Sequence, residues 1–146
     1  MSALARDADA AATALLEDGL WSVATPDARR LDFAEALARI PAPSSARPAL
    51  LELALSERPC DRRRSLYALG ALAPGPDTVT AASTALGDRD PSVRAAGVWA
   101  VERAALSAAC ESQLRGLGET DSSEDVRRSA RRALEQLESE AGAASP

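Results

Sequence analysis

Small and aliphatic residues recur along this chain at helical spacing, and the recurrence itself repeats. Taking Arg94 as origin, the positions one before and three, six, seven and ten after it are Val93, Gly97, Ala100, Val101 and Ala104. Around Arg127 the same offsets give Val126, Ala130, Ala133, Leu134 and Leu137. At 3.6 residues per turn these offsets fall on one side of a helix, which is the pattern of a core-facing stripe. Arg62 and Arg30 precede Arg94 by successive steps of 32 residues, and Arg127 follows it by 33. Each of the four is followed at +6 and +7 by a small and an aliphatic residue: Ala36-Leu37, Ala68-Leu69, Ala100-Val101 and Ala133-Leu134. A period in this range predicts two-helix units stacked side by side, because one such unit cannot bury its apolar stripe alone.

The fold class expected is therefore all-α, an α-solenoid of about four two-helix repeats. First helices are predicted near 26–40, 60–73, 91–106 and 124–140, and second helices near 44–57, 77–87 and 107–118. Helix starts support these spans. Asp90 before Pro91 and Thr25 before Pro26 place a capping oxygen ahead of a proline at the first helical position, and Ser122 or Ser123 precedes Glu124 and Asp125. Only the start at 58–61, Arg-Pro-Cys-Asp, lacks a good cap. Breakers such as Pro-Ala-Pro-Ser-Ser and Pro-Gly-Pro-Asp separate the helices. An N-terminal capping helix is expected within 3–24, with Leu4, Ala8, Ala11 and Leu15 turned toward the first unit and Trp21 packing across the turn. Repeats would fill 25–140 and complete a single domain over 1–140. The tail at 141–146 is expected to be disordered.

Composition narrows the chemistry. The chain has 146 residues, 34 of them Ala, no His, and all 17 basic residues are Arg. A net charge of -5 argues against the global basicity of a nucleic-acid binder. No segment approaches the roughly 18 apolar residues of a membrane span, and the start carries Asp7 and Asp9 where a signal peptide needs basic and then apolar residues. Two distant cysteines, Cys60 and Cys110, fit free thiols in a reducing cytoplasm. Without His or clustered Cys, no metal site is expected, and Gly-Leu-Gly at 116–118 lacks the context of a dinucleotide loop, so no cofactor is expected either. Cys60 near a helix start beside Arg58, Arg62 and Arg63 has surroundings that favour a thiolate, but no base stands by it; Cys110 reads as a small buried hydrophobe.

The stretch Asp-Arg-Asp-Pro-Ser-Val-Arg-Ala-Ala-Gly-Val-Trp-Ala-Val at 88–101 resembles the HEAT-like repeat in the short form found in phycobilin-lyase-type proteins. The pattern of acidic turn, Val-Arg, two variable residues, a small residue and Ala-Leu recurs at 121–134. It is looser at 57–69, where Asp61 stands in place of Val, and reduced to Arg, Ala and Leu at 25–37. The resemblance implies that the anchor Arg bonds acidic turn residues, with Glu57, Asp88, Asp90 and Asp121 as candidates. It also implies that the first helices line the concave side of the solenoid.

The position five after each anchor lies roughly 140° to 150° from the centre of the core stripe. It holds Glu35, Tyr67, Trp99 and Arg132, so the two rings are expected to be exposed and adjacent on neighbouring helices. Flanking offsets add Arg39, Arg63, Arg64, Arg103 and Arg128, while acidic residues such as Glu17, Asp18, Glu52 and Glu119 fall on outer helices and turns. Exposed Tyr, Trp and Arg dominate interface energetics. The candidate partner-binding set is therefore Tyr67, Trp99, Arg39, Arg63, Arg64, Arg103, Arg128, Arg132 and Glu35, with no catalytic residue. The leading expectation is a non-enzymatic interaction module or scaffold that grips an acidic or amphipathic segment of another protein or peptide. Alternatives are a HEAT-like nucleic-acid binder, a helper for chromophore or substrate implied by the lyase resemblance, and self-association into a homodimer through open solenoid ends.

Overall fold

A computed structural model describes residues 3–22, 27–39, 46–72, 75–103 and 108–143, with the side chains of 3–9, 27–28, 108–109 and 140–143 outside that description. Among these residues the chain forms eight helices and no strand. They are α1 (Ala3–Trp21), α2 (Asp27–Leu37), α3 (Ala46–Leu53), α4 (Pro59–Ala71), α5 (Pro76–Leu86), α6 (Pro91–Arg103), α7 (Ala108–Thr120) and α8 (Glu124–Ala143). The helices that carry the anchor arginines, α2, α4, α6 and α8, pack side by side in one layer, and α3, α5 and α7 pack in the other. This is the α-solenoid that the spacing predicts.

Each anchor helix also packs on its neighbours in sequence, α2 on α1 and α3, α4 on α3, α6 on α5 and α8 on α7, and the most extensive contact of all is between α4 and α6. Acidic turns precede α4, α6 and α8, at Glu57, at Asp88 and Asp90, and at Asp121, and α1 packs against α2 at the start of the array. Its packing face differs from the expected one. Ala11 and Leu15 are exposed, Leu15 to 74%, whereas Leu20 is fully buried and Leu16 is half-buried against the same core. Gly19 explains the choice: a Cβ there would meet the Phe33 ring at 2.7 Å, so the glycine lets α2 press its one phenylalanine against α1. Burying Leu16, Leu20 and Phe33 removes more apolar surface from water than the alanine stripe would. Trp21, expected to pack across the turn, is 50% exposed. The Leu4 and Ala8 side chains and the Thr25-Pro26 cap lie outside the described residues.

Elsewhere the stripe is where the spacing puts it. Val93, Gly97, Ala100 and Val101 of α6 and Val126, Ala130 and Ala133 of α8 are buried, and Leu134 and Leu137 are half-buried; Ala104 lies outside the description. Three apolar clusters run along the array, around Leu20 to Leu69, around Leu66 and Val93, and from Ala82 to Ala133. Cys110 is buried in the last of them and Cys60 is exposed. In α4 the stripe carries polar residues instead: Asp61 is buried beside Ser56 and Arg58, and the buried Ser65 hydroxyl has no hydrogen-bond partner among the described residues. Helix α6 starts as predicted, with Asp90 accepting from the Ser92 amide at 2.8 Å; α4 starts at Arg58 with no side-chain cap. Helix α8 continues to Ala143, into the segment expected to be a tail.

The anchor arginines tie the turns together. Arg62 donates through Nε and Nη2 to both Asp88 oxygens (2.7 and 2.8 Å), and through Nη1 to the carbonyls of Ser56 and Glu57. Arg94 does the same one step on, to Asp121 (2.6 and 2.7 Å) and to the carbonyls of Asp88 and Arg89. Arg127 closes the series on the Asp121 carbonyl and on Glu124. Arg62 and Arg94 thus satisfy carbonyls of the turn ahead of their own helix and grip the carboxylate of the following acidic turn in largely buried bidentate geometry, whereas Arg127 holds an exposed glutamate of its own helix through one nitrogen. At Asp88 burial works to raise the pKa, and the bonds from Arg62 and the Asp90 amide outweigh it and leave the carboxyl below its ordinary value. Asp121 is likewise held low, chiefly by its bond from Arg94.

Candidate functional site

Helices α2, α4, α6 and α8 meet along seams, and the candidate residues lie on those seams. The residue five after an anchor does not point straight to solvent. Trp99 and Arg132 lean toward the preceding helix, where each faces the residue eight after that helix's anchor, whereas Glu35 faces Arg64 of the following helix. Trp99 lies on Gly70, where an added Cβ would sit 2.5 Å from the Trp99 ring. Arg132 reaches Glu102, with 3.4 Å to each carboxylate oxygen. Tyr67 shares a cleft with Ala38.

The expectation of two equally exposed rings is corrected accordingly. Tyr67 is 41% exposed, but Trp99 is half-buried, packed against the core cluster of α5 to α8. The reason is the absence of a Cβ at Gly70, which lets the indole settle between α4 and α6. The two rings do meet, edge to face, with centroids 5.2 Å apart at 64°. The Arg103 guanidinium lies over the indole, 5.9 Å from its centroid, and is itself exposed. Tyr67, Trp99 and Arg103 therefore form one continuous ledge across α4 and α6.

The expected ring of six arginines is also corrected. Arg64 is committed to α2: it donates to both Glu35 oxygens (2.9 and 2.7 Å) and to Asp32 (2.7 Å). The Glu35 bond, then the Asp32 bond, raise its pKa further above the guanidinium range. Arg132 pairs with Glu102, and Arg128 sits 3.9 Å from Asp125 in an exposed pair. Arg63 is half-buried and joins neither the ring pair nor the cleft. The seam is thus charge-paired, with Arg39 and Arg103 as exposed guanidiniums that make no ion pair with a described residue. Gly70 and Glu102 are neighbours of the candidate residues that the single-helix wheel missed. Gly70 and Glu102 form, with Ala38, the column eight after the anchors, and reading adjacent columns together would have found them.

Beside the ledge, between α2 and α4, lies a cleft of about 310 Å³. It is lined by Ala38, Ala68 and Ala71, by Tyr67, and by the charged Glu35, Arg39 and Arg64. Among the described residues no group of three or more His, Cys, Asp or Glu side chains could hold a metal ion, and no helix is long and apolar enough to cross a membrane.

Paired helices in two layers, stepped at a near-constant period and laced by one arginine per step, define the fold as that of HEAT-like repeats in general. Among solved structures, human deoxyhypusine hydroxylase in complex with glycerol is similar, with a TM-score of 0.66 and 26% identity over 87% of this chain and 43% of that one. The chain thus spans less than half the length of that protein. No protein-family model matches the sequence, and no curated protein does.

Proposed function

We propose that this chain is a non-enzymatic protein-interaction module, and that the face formed by α2, α4, α6 and α8 binds an acidic or amphipathic segment of another protein. The general scaffold role is supported by the HEAT-like fold. The particular face is supported by one observation above others: Tyr67, 41% exposed, is held by edge-to-face contact with a half-buried tryptophan, beside an exposed arginine. A large ring fixed before a partner arrives loses little freedom on binding. Pairing of Arg64 with Glu35 and Asp32, and of Arg132 with Glu102, removes much of the positive field that a phosphate backbone would need, which favours a protein partner over nucleic acid. The hydroxylase activity in the similar protein's name belongs to a chain of which this one spans 43%, and the likeness to phycobilin-lyase-type repeats rests on a fold motif that transmits no activity.

Peptide display against the immobilised chain tests the proposal. Selected peptides are expected to combine Asp or Glu with apolar residues, and to be lost with Tyr67→Ala or Arg103→Glu while the thermal melt stays within a degree or two. Trp99→Ala, by contrast, is expected to cost about 2 kcal/mol of stability because its ring is part of the seam. Selection of peptides indifferent to both Tyr67 and Arg103 would reject the face.

A further inference from the structure

The three seams of the anchor layer are filled unequally. Between α4 and α6 the indole of Trp99 covers Gly70, and between α6 and α8 Arg132 meets Glu102. Between α2 and α4 the corresponding pair is Tyr67 and Ala38, and the Tyr67 ring is engaged edge-on with Trp99. The space that a seam side chain occupies elsewhere is left here as the 310 Å³ cleft. Three of its lining residues, Ala38, Ala68 and Ala71, are alanines, so its volume comes from missing side-chain atoms along two helix ends.

The charges around it are unequal too. Arg64 has both Glu35 oxygens and an Asp32 oxygen on its guanidinium, so neither it nor Glu35 is available to a newcomer without breaking that pair. Arg39 is exposed, lines the same cleft and forms no ion pair with a described residue. The uncommitted charge at the cleft is therefore positive.

We propose that this cleft is an anchor socket for a partner protein: it takes one bulky apolar side chain between α2 and α4, and Arg39 binds a carboxylate adjacent to that side chain in the partner's sequence. The inference rests on the interaction face proposed above and adds to it the position of the buried anchor and the order of apolar and acidic groups. The larger cleft of about 460 Å³ between the turn at 54–57 and α5 is a weaker candidate, since Arg62 and Asp88 on its wall are bonded to each other and hold the turns.

The socket is tested by titrating the full ¹⁵N-labelled chain with N-acetyl-phenylalanyl-glutamate amide at millimolar concentration. Amide shifts are expected to centre on Ala38, Arg39, Ala68 and Ala71. N-acetyl-phenylalanyl-lysine amide and N-acetyl-glycyl-glutamate amide should each bind more weakly, and Arg39→Ala should weaken the glutamate compound about threefold. Ala71 is exposed at the end of α4, so Ala71→Leu can plug the cleft without disturbing the core, and it should reduce affinity by about tenfold or more. Ala71→Ser, which leaves the space open, should bind as the parent does, and unchanged melts for both variants keep the comparison clean. Equal binding of the lysine compound, shifts centred elsewhere, indifference to Ala71→Leu or no shift at all would overturn the socket. If display-selected peptides are lost with Tyr67→Ala yet bind the Ala71→Leu chain normally, the interaction face stands and the socket falls. If they are indifferent to both variants, both ideas fall.

Discussion

The two ends of the array are built to one plan and held by different means. In the C-terminal part, Asp121 is 3% exposed at its side chain, receives two bonds from Arg94 and also accepts from the Ser123 amide at 2.8 Å. Asp88 plays the same double part between Arg62 and the Asp90 amide. One short carboxylate thus shapes its own turn and catches the arginine of the preceding unit. At the N-terminal end Arg30 reaches Glu52, a residue on α3 that is 59% exposed, and bonds the Leu20 carbonyl at 3.3 Å. The catching is done, but no turn is shaped by it. The arginine period is nearly the same in both places, so what distinguishes a tight step from a loose one is the acid and where it sits.

Breaking the acid at each end should therefore have unequal consequences. Asp121→Ala strands the largely buried Arg94 guanidinium and removes the acceptor of the Ser123 amide, and is expected to cost about 3 kcal/mol. Glu52→Ala removes an exposed partner and should cost well under 1 kcal/mol. Urea unfolding of both variants measures the difference directly. Equal losses would show that the arginine's carbonyl bonds, and not the acid, set the strength of a step.

The same contrast separates what the sequence reveals from what it hides. The period of Arg30, Arg62, Arg94 and Arg127 and the stripe through Val93, Ala100 and Val101 were legible because each is a property of one helix and of its 3.6-residue turn. The pairing of Arg94 with Asp121 was legible only through the resemblance, since the partners are 27 residues apart. The seam was not legible from one wheel. Opposite the core, a wheel offers only solvent, whereas in a stack that side is shared with the next helix, and a glycine at 70 can draw in a tryptophan at 99. Helix α1 hid its orientation for another reason. Leu16 and Leu20 form one apolar stripe and Ala11 and Leu15 another, and the choice between them depends on where Phe33 arrives.

Seams can be broken as steps can, with a smaller effect. Gly70→Ala places a methyl 2.5 Å from the Trp99 ring and 3.3 Å from the Ala100 Cα, both too close to keep. The indole must move or α6 must shift, at a cost of about 2 kcal/mol. Indole emission, measured in a Trp21→Phe background so that only Trp99 reports, should shift to the red as the ring is lifted toward water. Unchanged emission and stability would mean that Trp99 does not lie on Gly70.

A glycine in α7 supplies the smallest effect and the opposite sign. Gly116 sits inside the helix, exposed, and a Cβ there would meet nothing within 4 Å. Neither a seam nor an arginine step requires the missing atom. A glycine in a helix interior costs backbone entropy relative to alanine, so Gly116→Ala should stabilise the fold by about 0.5 to 1 kcal/mol, read as a higher urea midpoint. Gly118, two residues on, is the control. Its added Cβ would lie 3.1 Å from the Arg131 Cγ, and Arg131 Nε is held on the Gly118 carbonyl at 2.9 Å, so Gly118→Ala must displace that side chain and should gain less or lose. Equal gains at both positions would show that α7 and α8 adjust freely to small additions. The tight C-terminal step would then depend on the bond between Arg94 and Asp121 rather than on close packing of the helices beside it.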